Sequence, residues 1–137
     1  MGSADGYEYA GDAAASRLKV VRATSKDEKE DVYGLRYQVS VEEMGQRPKN
    51  ADHERKRLTD ALDDEATILY LTDGGNEPLA TLRVVGASKV PNAAEVRTYA
   101  LDRLPEVDRK AVSFTSRLVV SPKARGVGAV GMLLNEV

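Results

Sequence analysis

The sequence predicts an α/β chain of the α+β kind, a mostly antiparallel sheet flanked by helices, and three observations carry that prediction. A capped amphipathic segment follows a first β-rich run, with Ser25 and Glu28 spaced as a capping box. Two further β-rich runs are separated by Asp73-Gly74-Gly75-Asn76, a hairpin signal. Finally, an apolar run ending at Val120 breaks at Ser121-Pro122 and turns through Arg125-Gly126-Val127-Gly128 into a second amphipathic segment.

Taken in order, residues 1–16 are rich in Gly, Ala and Asp without apolar period and read as a flexible leader, leaving 17–137 as one domain. Leu18 to Ala23 is a first strand. The helix opened by Ser25 carries an apolar stripe of Val32, Leu35 and Val39, and Gly45 marks its end. Residues 46–66 are highly charged, with Leu58 and Leu62 as a thin seam, and read as a short helix or an ordered loop. Ala66 to Thr72 and Leu79 to Val85 are strands. Residues 90–107, with Pro91 and Pro105, form a surface connection, and 111–120 is the third strand of an antiparallel meander. A last helix is expected from near Arg125, because Val127, Val130, Leu134 and Val137 recur at i, i+3, i+7 and i+10. There is no internal repeat.

Strand alternation places the chemistry. Leu79, Thr81, Arg83 and Val85 share one face; in the last strand Thr115, Arg117 and Val119 are expected opposite Phe114, Ser116, Leu118 and Val120. Arg83 and Arg117 thus lie on partly apolar faces. They pair with Asp60, Asp63 or Asp64, hold a substrate carboxylate bidentately, or do both, since a structural pair often frames a binding site. Asp60 and Asp63, at helical spacing, read as a hydrated acidic face, His53 as a solvated side chain, and Tyr33, Tyr37, Tyr70 and Tyr99 as core.

Composition excludes several classes. The chain has 137 residues, enough for one core, and a formal charge of −2 with Lys and Arg spread throughout, so no nucleic-acid footprint appears. Without cysteine and with a single histidine, disulfides, a thiol nucleophile and a zinc site are not expected. No apolar run approaches the roughly 20 residues of a membrane span, and no secretory signal opens the chain, which points to the cytoplasm.

The loop after Val120 is suited to an anion. Glycines at 126 and 128 let backbone N–H groups at a helix N-terminus approach a phosphate. An ordinary flexible turn is the plain alternative. The Gly-Lys-Ser/Thr ending of a Walker loop and the full G-x-G-x-x-G fingerprint are both absent.

Following a strand, V-x-P-x-x-R-G-x-G resembles the acetyl-CoA-binding motif of the GNAT N-acyltransferase superfamily, with Arg125 and Gly128 matching and Val130 standing where a small residue is usual, a departure that leaves other acyl carriers in play. Leu35-Arg36-Tyr37-Gln38-Val39, Asp60-Ala61-Leu62-Asp63, Arg83 and Ser116-Arg117 together resemble the branch that makes acyl-homoserine lactones and long-chain N-acyl amino acids. Phe114 replaces the Glu of the lactone synthases, which turns the expectation away from lactone.

The resemblance implies a GNAT-like mixed sheet and direct transfer of an acyl group from an acyl-CoA or acyl-carrier-protein thioester to the amine of an amino acid or related small molecule, without a metal. It implies donor binding by Val119, Val120, Arg125, Gly126, Val127, Gly128, Ala129 and Val130. Asp63, as a water-relayed base, and Arg117 would serve catalysis, and Arg36, Asp60 and Arg83 substrate binding. Since that fold continues with a strand parallel to 111–120, residues 17–137 are expected to be its N-terminal portion, completed by more chain or by a partner such as a second copy. A non-catalytic GNAT-like module binding CoA or a protein, or an acyl-homoserine lactone synthase, is the alternative.

Overall fold

The computed structural model describes residues 17–75, 77–86 and 113–137. The leader, the 90–107 connection and Tyr99 lie outside these residues. Strand β1 (Lys19–Arg22) leads to helix α1 (Lys26–Tyr37), which widens into a π turn over Gln38–Glu43. The short strands β2 (Ala51–Asp52) and β3 (Arg57–Leu58) form a separate ribbon, followed by a 3₁₀ turn over Ala61–Glu65. Strands β4 (Thr67–Thr72), β5 (Ala80–Gly86) and β6 (Ser113–Val120) come next, then a 3₁₀ turn over Pro122–Ala124 and helix α2 (Ala129–Asn135). The main sheet is antiparallel in the order β1-β4-β5-β6, as the hairpin signal and meander require.

Among the described residues, each face of the sheet is covered by one helix. The α1 start is fixed by reciprocal bonds, with Ser25 Oγ accepting from the Glu28 amide at 3.1 Å and a Glu28 carboxylate oxygen accepting from the Ser25 amide at 3.1 Å. Val32 and Tyr33 of α1 pack with Ala23 and Ile68, while Leu35 and Val39 meet Val119. On the opposite face Leu69, Leu71, Ala80 and Leu82 pack against Ala129 and Leu133 of α2. Adjacent β4 residues therefore point to opposite layers, the period of two made physical.

The last helix differs from expectation in start and phase. It begins at Ala129 with Gly128 as N-cap, not near Arg125. The stripe Val130, Leu134 and Val137 is exposed, whereas Ala129 and Leu133 are buried and Val127 and Met132 partly so. Two neighbouring apolar stripes exist on this segment, and the leucines of β4 and β5 select one. Residues 46–66 also differ: they form the β2–β3 ribbon and a 3₁₀ turn, although Leu58 and Leu62 are both buried as a seam should be.

A β-bulge in β6 corrects the facing of its side chains. Thr81 opposes Val119 and Arg83 opposes Ser116, so Leu82 faces the two residues Arg117 and Leu118. Arg117 has φ 55, a left-handed value uncommon for a side-chain-bearing residue. Ser116 and Val119 consequently share the α1 layer, and strict alternation across 113–120 fails at the bulge.

Candidate functional site

Beneath the bulge lies a lattice of arginines and aspartates. Arg36, from the buried side of α1, donates through Nη1 and Nη2 to the two Asp63 oxygens, each at 2.9 Å, and both side chains are 1% exposed. Asp63 Oδ2 also accepts from Thr59 Oγ1 at 2.7 Å and the Asp60 amide at 2.8 Å. Arg83 Nη1 reaches Asp60 Oδ1 at 2.5 Å and Asp63 Oδ1 at 3.3 Å, while its Nε donates to Ser116 Oγ at 3.1 Å. Arg117 Nη2 closes the chain on Asp60 Oδ2 at 2.6 Å. Arg36 and Arg57 each sit 5.2 Å from the Tyr33 ring centroid, and Arg57 pairs bidentately with Glu30.

These contacts fix the charge states. Burial pushes the Asp63 carboxyl up, but the hydrogen bonds and charge of Arg36, with the Asp60 amide and Thr59, outweigh it and hold the group at about 2. Burial likewise pushes Asp60 up, and Arg117 and Arg83 hold it below the usual carboxylate range. Among the described residues, three guanidiniums face two carboxylates, a surplus of one positive charge. The expected hydrated face at Asp60 and Asp63 is thus corrected: Asp63 is fully buried and Asp60 only 20% exposed. Nor is Asp63 suited to be the water-relayed base, since a carboxylate held so far down, with both oxygens occupied, has little affinity for a proton.

A cavity of about 430 Å³ opens between α1, its π turn and β6. Arg36, Arg117 and Arg125 line it together with Val39, Leu58, Leu118, Val119 and Val120, and among the described residues no Asp or Glu does. Arg36 Nε is buried with no hydrogen-bond partner among the described residues. A second cavity, of about 490 Å³, is lined by Val120, Ala124, Arg125, Gly126, Gly128, Ala129 and Val130. The two share Val120 and Arg125.

The loop holds Gly126 at φ 90 and Gly128 at φ 78, conformations that glycine adopts without strain. The amides that open α2 have no carbonyl of their own helix to reach. Arg125 is engaged within the chain. Its Nη1 and Nη2 donate to Glu43 Oε2 and Oε1 at 2.7 and 2.5 Å, and its Nε and Nη2 also reach the Val120 carbonyl at 3.3 and 3.1 Å. That carbonyl, on a residue the resemblance implies in donor binding, is occupied by the arginine.

The structure therefore gathers Arg36, Asp60, Asp63, Arg83 and Arg117 into one cluster and sets Val119, Val120, Arg125, Gly126, Gly128, Ala129 and Val130 beside it, with Val127 turned toward the α2 core. His53 is exposed, as expected, with Nδ1 2.8 Å from the Tyr37 hydroxyl. Tyr33 and Tyr37 are core, but Tyr70 is only partly buried and donates to Glu28 Oε2 at 2.6 Å. Sequence reading missed Thr59 and Glu43. Thr59 adjoins the Asp60 cap and was open to notice; Glu43 is 82 positions from Arg125 and nothing local marks it.

Compared with known families, residues 35–135 match the model described as an acetyltransferase (GNAT) domain, which covers both the arginine–aspartate cluster and the glycine loop. No curated protein matches the chain. Among the described residues no helix is long and apolar enough to cross a membrane, and no group of three or more acidic or histidine side chains is placed to hold a metal ion.

Proposed function

We propose an N-acyltransferase function for this chain, which belongs to the acetyltransferase (GNAT) domain family: an acyl group passes from a CoA or acyl-carrier-protein thioester to the amine of an amino acid or similar small anionic amine. The amine nitrogen bonds to the thioester carbonyl carbon, the carbon–sulfur bond breaks, and the thiol leaves with a proton. The loop from Arg125 to Val130 receives the donor's phosphate, and the β6 backbone at Val119 and Val120 receives its arm. Arg117 and Arg36 face the acceptor's carboxylate, while Asp60, Asp63 and Arg83 hold those two guanidiniums in place.

The observation that carries this reading is the lining of the 430 Å³ cavity: among the described residues, arginines without a lining carboxylate, and a buried Arg36 N–H without an acceptor. A buried donor left unpaired costs free energy, which an acceptor oxygen recovers on binding. With one surplus positive charge among the described residues of the lattice, an anionic acceptor fits better than a neutral or cationic amine.

Thiol release from acetyl-CoA and longer acyl-CoAs, measured with free amino acids and with their amides, tests this. Acceptor-dependent release that favours the carboxylate form is expected. Release with the amides alone would remove the carboxylate site, and CoA binding with no release from any pairing would make the chain a non-catalytic module. A lactone product is disfavoured by Phe114 in place of the lactone synthases' Glu.

A further inference from the structure

We propose that Glu43 is an internal competitor for the donor: its carboxylate occupies Arg125 in the free protein and is exchanged for donor phosphate on binding. This deepens the donor reading above and rests on it. Glu43 ends the π turn, a wide winding that recurs at functional positions, and here it carries the carboxylate across to the glycine loop. The guanidinium it holds is the same one that covers the Val120 carbonyl. One arginine therefore closes two of the groups expected to receive a donor, its own charge and the end of the β6 backbone.

The exposure of the pair makes exchange feasible. Arg125 is 47% and Glu43 37% exposed, so water competes with the contact and salt screens it. A pyrophosphate brings more negative charge than one carboxylate and several acceptor oxygens, while the loop glycines leave room for it beside Arg125. A donor thus displaces Glu43 at little cost, whereas no ligand could displace Asp63 from Arg36 so easily.

Isothermal titration of coenzyme A into the full chain tests the exchange, using wild type, Glu43→Gln, Arg125→Gln and the double variant, with circular dichroism to verify folding. Removing a competitor of this exposed kind should tighten binding about two- to fivefold in Glu43→Gln. Arg125→Gln should weaken binding, and the double variant should match Arg125→Gln, because without the arginine there is nothing to release. Unchanged or weaker binding in Glu43→Gln, with measurable wild-type affinity, overturns the competitor role and leaves the donor site standing. If folded wild type and Glu43→Gln both fail to bind coenzyme A, the donor reading itself fails and the competitor role falls with it.

Discussion

Arg36–Asp63 and Arg125–Glu43 are both two-pronged arginine–carboxylate pairs with short contacts, yet one is 1% exposed on each side and the other 47% and 37%. Geometry is nearly shared; solvent is not. A buried pair that loses one member leaves a charge in a poorly solvated place, while an exposed pair that opens is rehydrated. The first is suited to holding a site in shape, the second to opening for a ligand.

The largest effect should come from breaking the buried pair. Asp63→Asn, observed by urea unfolding at neutral pH, should cost about 3–5 kcal/mol, since Arg36 and part of the Arg83 charge lose their counter-ion. A loss below about 1 kcal/mol would erase the distinction between the two pairs.

Acid should act on the same residue. With the Asp63 carboxyl held at about 2 when folded and near 3.9 when unfolded, the folded state binds the proton less tightly. Its stabilisation is complete above about pH 4 and lost as pH falls toward 2. Unfolding free energy measured across that window should fall less steeply in Asp63→Asn than in wild type.

Arg117, half exposed but joined to the lattice through Asp60, lies between the two extremes. Arg117→Lys keeps the charge and loses the planar two-point contact, so acceptor KM should rise by about one to two decades, equivalent to roughly 1.5–3 kcal/mol. Donor binding should be unaffected. Lower thermal stability with unchanged acceptor kinetics would instead make Arg117 a structural partner of Asp60.

In the loop, Gly128→Ala should cost about 1–2 kcal/mol by forcing a side-chain-bearing residue to φ 78, although the added carbon would meet no atom within 4 Å. Calorimetric unfolding would separate that strain from any loss of donor binding. Smallest of all, Glu43→Gln should lower stability by no more than about 1 kcal/mol, measured by the same unfolding.

Much of the fold was legible because its signals are local. Ser25 and Glu28 cap a helix within one turn of chain, Asp73-Gly74-Gly75 sits between strands that pair directly, and the alternation of β4 and β5 needs no distant partner. The cluster residues Arg36, Asp60, Asp63, Arg83 and Arg117 were also legible, but only as a spaced pattern. Periodicity misled at α2, where two adjacent apolar stripes satisfy the same period.

From sequence alone come the capped helix, the hairpin, the glycine loop and the charged residues that form the cluster. Tertiary structure alone decided their states. The bulge opposite Leu82 turned Ser116 toward Arg83, burial converted Asp63 from a hydrated acid into a fixed anion, and chain closure brought Glu43 to Arg125. Local patterns report hydrogen bonds and turns made within a few residues. Burial and charge pairing depend on which distant surfaces exclude water from one another, and that exists only once the chain has folded.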